Sequence, residues 1–95
     1  MAWKLVYGSV HDRPRKVIHV VRVVDDILEP DQILDIEERM RQHALSRYGD
    51  QAANVVVIQG RTKETLRLFG EPHCVTRVRA ALFNAAVSWS PIELD

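Results

Sequence analysis

The sequence predicts an α+β domain, a strand-rich sheet carrying two amphipathic helices. Two segments, Lys16 to Val24 and Asn54 to Gln59, are rich in β-branched residues, whose stiff side chains suit a pleated surface. Two others, opening at Pro30 and Pro72, repeat apolar residues every three or four positions, the period of one helix face. The chain has 95 residues, 46% hydrophobic and 27% charged, which suits one domain spanning residues 1–95 around one small core.

The elements follow in order. Trp3, Leu5 and Tyr7 alternate with Lys4 and Val6, a short strand that Gly8-Ser9 is expected to end. His11 to Arg15 is a polar connection, since Pro14 has no N–H for a ladder. Lys16 to Val24 is the strongest strand signal, with apolar residues on both parities broken only by His19 and Arg22, the pattern of a strand covered on both faces. Pro30 suits a first helical turn, and Glu29 and Asp31 suit its positive end. The stripe Ile33, Ile36, Met40, Ala44 follows, Glu37-Arg41 and Glu38-Gln42 pair at i, i+4 on the wet side, and Gly49 stops the helix. Val55 to Ile58 forms a second buried strand. Gly60 to Lys63 turns the chain, and Thr65 to Phe69 completes a hairpin. The second helix opens at Gly70-Glu71-Pro72 with the stripe Val75, Val78, Leu82, Ala85. Ser88 to Pro91 breaks it, and Ile92 and Leu94 read as a terminal edge strand.

The order β-β-α-β-β-α-β contains βαββαβ after its first strand. The expectation is therefore a ferredoxin-like split βαβ sandwich with an extra N-terminal strand, both helices on one face of a mainly antiparallel sheet. That leaves a second sheet face, which the two-sided apolar strands would make greasy. A patch of that extent is rare on a monomer. The expected partner is thus a second copy, in a homodimer formed through the open sheet face or an edge strand, with Tyr7, Val21 and Phe69 as interface residues.

Thirteen basic residues balance thirteen acidic ones, so no global charge draws the chain to nucleic acid or an anionic membrane. One cysteine excludes an intrachain disulfide. No apolar stretch in MAWKLVYGSVHDRPRK suits a signal peptide, no window approaches the ~20 apolar residues of a membrane span, and a cytoplasmic protein is expected.

Candidate chemistry is sparse. His73-Cys74 falls in the first turn of the second helix, where a thiol pKa is lowered, but adjacent helix positions point about 100° apart and a lone cysteine usually packs as a small hydrophobe. His11, His19, His43 and His73 make no metal-ligand spacing, and no metal or cofactor is expected. Asp25, Asp26, Glu29 and Asp31 gather carboxylates that helix capping and a solvated loop explain. Arg13, Arg15 and Lys16, with Arg61 and Lys63, form two basic clusters able to grip phosphate, but a sheet-based RNA reader also needs stacked aromatics and the core strands offer only Phe69. Nucleic acid is not an expected partner, and the glycines at 8, 49, 60 and 70 are too dispersed for a phosphate loop.

Val20 to Met40, VVRVVDDILEPDQILDIEERM, loosely resembles the first strand, loop and helix of ACT-type regulatory domains. The resemblance implies a ferredoxin-like dimer binding amino acids at the strand–helix loop, although Pro30-Asp31 stands where that family usually has a glycine. Lys16 to Gln59 is somewhat similar to the cytosolic tail of cation-diffusion-facilitator transporters. This implies a small dimeric α+β domain, although the histidines usual in the strand after the helix are replaced by NVVVIQG. Together these readings lead to the expectation of a non-enzymatic, self-associating interaction or regulatory module. The alternative is a small-molecule-binding protein or small enzyme with a pocket at the open sheet face or dimer interface, where His19, Arg22 and Arg67 would be the ligand-binding polar groups.

Overall fold

A computed structural model describes residues 5–13, 16–23, 28–49, 52–60 and 65–91. The chain runs β1 (Leu5–Arg13), β2 (Lys16–Val23), α1 (Pro30–Tyr48), β3 (Ala52–Gln59), β4 (Arg67–Phe69), α2 (Pro72–Phe83) and β5 (Ser90–Pro91), the predicted order of element types through α2, with β5 falling in the segment expected as a break. Trp3, Lys4, Pro14, Arg15, Val24 and the expected terminal strand Ile92 to Leu94 lie outside the described residues.

The first strand does not end at Gly8-Ser9. It continues to Arg13 and pairs with β2 along its length, Gly8 opposite Val20. Gly8 marks a close approach: a Cβ there would stand 2.5 Å from Val87 Cγ1 and 3.3 Å from the Trp89 ring. Strand glycines of this kind admit another segment against the backbone.

The sheet is mixed, in the order β4-β3-β2-β1-β5. β2 and β3 are parallel neighbours, with Val20 opposite Val56 and Val21 opposite Val57, and the remaining pairs are antiparallel. The α+β class holds, and the ferredoxin-like expectation is corrected. In a split βαβ unit another strand separates the two that flank the helix, whereas here β2 and β3 pair directly.

The helices also lie on opposite faces. Ile33, Ile36 and Met40 of α1 pack with Val21, Val23, Val55 and Val57. Cys74 and Val78 of α2 pack with Ile18, Val20, Val56 and Ile58. These strand residues alternate along β2 and β3, so each helix takes one parity. The handedness rule governs crossovers between parallel strands and so constrains α1, which joins β2 to β3. β4 and β5 run antiparallel at opposite edges of the sheet, and α2 crosses between them free of that rule. The two-sided greasiness of the central strands is satisfied within the chain, in three layers. Among the described residues each sheet face carries a helix, so the open face expected to mediate association is covered.

Both helices start on a glutamate followed by proline. In α1 the Glu29 N–H donates to Gln32 Oε1 at 2.8 Å, satisfying a donor the helix itself cannot use. Gly49, at φ 59°, closes its other end. In α2 the buried positions are Cys74 and Val78, with Val75, Ala81 and Leu82 partly covered. Ala85, expected in the helical stripe, lies beyond the helix at φ 51°. There the Ala86 N–H donates to the Ala81 carbonyl at 2.8 Å and the Ala85 N–H to that of Leu82 at 3.1 Å. This is the double-bonded helix stop that usually carries glycine in the left-handed position.

Asp12 of β1 ties α2 down from the side. Its carboxylate, 4% exposed, accepts from His73 Nε2 at 2.9 Å and Arg77 Nε at 3.1 Å, residues one helical turn apart. Among the described residues the edges of the sheet are short. β4 has three residues and β5 two, one of them Pro91, while β1, β2 and β3 have nine, eight and eight.

Candidate ligand groove

A concave surface follows from the position of α1. The helix covers Val21, Val23, Val55 and Val57, and beside it, toward β4, a groove of ≈ 850 Å³ opens between the helix flank and the β3–β4 edge. Its apolar lining includes Leu28, Ile33, Val55 and Phe69, the first three almost fully buried, with the exposed Leu34 of α1 at the rim. Strand alternation brings Phe69 here, since it pairs with Val57 and shares the α1 side.

Polar groups sit at defined places around this lining. Gln59, two residues after Val57 on the same parity, is 7% exposed and lines the groove. Arg67, its ladder partner, lines the groove from β4. On the helix side, burial pushes the Glu37 carboxyl above its usual range and Arg41, one turn on, draws it back. The N-terminal residues Glu29 and Glu71 of the two helices also reach the lining. An amide at the edge of an apolar groove offers hydrogen-bond donors and an acceptor to a bound molecule.

His19, Arg22 and Arg67, expected to converge, do not form one site. His19 is 0% exposed beneath α1, its Nδ1 hydrogen-bonded to the Tyr7 hydroxyl at 2.7 Å. Burial, and secondarily His43, hold its imidazole below the ordinary value. Arg22, one residue out of phase with Val21 and Val23, belongs to the opposite face, where its guanidinium stacks 5.7 Å from the Trp89 ring centroid. Only Arg67 lines the groove.

The expected interface residues Tyr7, Val21 and Phe69 do share a face, but it is the one α1 covers. Val21 is fully buried within the chain, and Tyr7 and Phe69 pack partly against the same cluster. Their register, Tyr7 opposite Val21 and Phe69 opposite Val57, makes them one apolar surface within the chain.

Cys74 is buried among the α2 cluster while His73 turns outward to Asp12, so the adjacent pair is split between core and surface. Among the described residues no three His, Cys, Asp or Glu side chains gather as metal ligands, and no helix is long and apolar enough to cross a membrane. Asp25, Asp26, Arg15, Arg61 and Lys63, from the carboxylate and basic clusters, lie outside the described residues, as does the side chain of Arg13. Gln59 had gone unnoticed in the sequence. Its signal is a polar residue continuing the inward parity of Val55 and Val57.

No protein-family model, curated protein or solved structure matches the chain.

Proposed function

We propose that this protein is a non-enzymatic binding module whose working surface is the groove between α1 and the β3–β4 edge. Its ligand would be a small amphipathic molecule. The apolar body would lie against Phe69, Ile33, Leu28 and Val55, and one hydrogen-bonding group would reach the Gln59 amide. The observation that carries this reading is the conjunction of an apolar groove with Gln59, a polar residue only 7% exposed, in its lining. Ligand sites are commonly concave, mostly apolar and oriented by a few polar groups, with volumes of roughly 300–1,000 Å³. Phe69 and Arg67, which the sequence singles out for different reasons, both serve here. The Glu37-Arg41 pair and Arg67 would select among headgroups by charge.

The test is a fluorescence titration with 1-anilinonaphthalene-8-sulfonate at pH 7, using urea melts to confirm that each variant is folded. The expected result is saturable enhancement in the parent, weakened about tenfold by Phe69→Ala, the loss of about 1.4 kcal/mol of contact. Gln59→Leu should change the affinity of hydrogen-bonding fragments detected by ligand-observed NMR while leaving purely apolar ones unaffected. A folded parent that shows no saturable dye binding and no fragment hits in the groove overturns the reading.

A further inference from the structure

We propose that the outer face of α1 is a self-association surface, on which two copies of this chain pair antiparallel about a two-fold axis. Only three large hydrophobic side chains are strongly exposed among the described residues, and two of them lie on this helix: Leu34 at 65% and Leu45 at 49%. Between them stand Glu38 and Arg41, giving the exposed stripe Leu34, Glu38, Arg41, Leu45 at spacings of four, three and four. That spacing keeps all four on one narrow face, the geometry of a two-helix seam. The stripe occupies a different side of α1 from Ile33, Ile36, Met40 and Ala44, which face the sheet.

The pattern is its own complement when reversed. Leu34 and Leu45 are equidistant from the midpoint between Arg39 and Met40, and so are Glu38 and Arg41. An antiparallel pair centred there sets Leu34 against the partner's Leu45 and Glu38 against the partner's Arg41, each contact occurring twice, as a two-fold interface requires. A parallel pair would instead set glutamate on glutamate and arginine on arginine, so the charges select one orientation. Within one chain Arg41 already donates to Glu38 at 2.9 Å and Gln42 Nε2 to the other carboxylate oxygen at 2.9 Å. The two pairs would meet across the axis as a four-membered ring of alternating charge, flanked at both ends by leucine pairs. The contact is small, which suits a weak, concentration-dependent dimer.

The seam borders the groove, whose lining includes Leu34 and Arg41, whereas Glu38 and Leu45 lie outside it, so Glu38→Arg and Leu45→Asp test association without altering the groove. Sedimentation equilibrium of the full chain, from low micromolar to about 1 mM, should show a monomer–dimer equilibrium. Glu38→Arg alone and Arg41→Glu alone each bring like charges together across the axis, and each should weaken the dimer about tenfold or more. The double reversal Glu38→Arg/Arg41→Glu restores opposite charges and should recover association. Leu45→Asp should abolish it while circular dichroism stays native. A parent that remains monomeric to about 1 mM, a dimer indifferent to the single reversals, or a double reversal that fails to rescue each overturns the proposal.

Discussion

Val56 and Val57 are adjacent on β3, both fully buried, and face opposite layers: Val56 the α2 cluster, Val57 the α1 cluster. Truncating each to alanine in turn tests the three-layer arrangement directly. Each change removes two methyl groups, a transfer loss of about 1.6 kcal/mol at ~0.8 kcal/mol per carbon, and the residual cavity raises it to about 2–3 kcal/mol. For a domain of this length that lowers the melting temperature by roughly 10–20 °C, at about 4–8 °C per kcal/mol. Urea unfolding followed by circular dichroism measures both variants, with an unchanged m-value as the check that the two-state comparison is sound. The two losses should be similar. The double variant should lose roughly their sum, within about 0.5 kcal/mol, because the two side chains belong to separate clusters. Were one sheet face open to water, truncation there would cost less than about 0.5 kcal/mol. Such a result at either position would refute helices on both faces.

Three further outcomes follow from particular contacts. Ala85→Gly should stabilise the chain by about 0.5–1 kcal/mol in the same assay, because alanine at φ 51° bears the left-handed penalty that glycine escapes. Asp12→Ala should cost about 1–3 kcal/mol and speed amide hydrogen exchange in α2, because it removes the nearly buried acceptor of His73 and Arg77. Burial lowers the His19 pKa in the folded chain, so the unfolded chain binds the proton more readily. Stability should be full above about pH 6.5 and fall as the pH drops below it, by at most ~1.4 kcal/mol per pH unit. Urea midpoints from pH 7.5 to 5 measure this. His19→Leu should flatten the dependence, and Glu37→Gln serves as control because the Glu37 shift acts with the opposite sign.

What the sequence disclosed was local. The α1 stripe Ile33, Ile36, Met40, Ala44 is the buried one, and its start at Pro30 and stop at Gly49 are written in residues whose backbone preferences act within a single turn. The valines of β2 and β3 likewise announced strands covered on both sides. What covered them was a matter of topology. The pattern alone does not say whether α2 returns over the same face as α1 or the other, since no handedness rule governs a connection between antiparallel strands. The phase of α2 was misjudged for a related reason. Cys74 drew attention as a nucleophile, yet it is the residue facing Val20 and Val56, while Ala85 serves the helix stop. At Gly8 the local rule favoured a turn, and the long-range contact with Val87 and Trp89 overrode it. In the groove, Phe69 and Arg67 were legible as oddities on a short strand. Their union with Gln59 and Glu37 depends on where α1 crosses the sheet, which no spacing encodes.

The contrast between long inner strands and stunted margins has a bearing on how the chain survives its own synthesis. KVIHVVRV and NVVVIQ are uncharged or nearly so over most of their length and rich in valine, the composition that stacks into fibrils when left bare. In the finished fold neither is at a rim. Among the described residues the margins are a three-residue strand and a two-residue strand containing proline, poor templates for recruiting another molecule. The last third of the chain supplies the α2 layer and the β5 margin, so a polypeptide cut short before Pro72 would display Ile18, Val20, Val56 and Ile58 as a naked adhesive plate. The C-terminal segment thus acts as the solubilising part of the molecule, and damage there should show first as insoluble protein rather than as lost affinity.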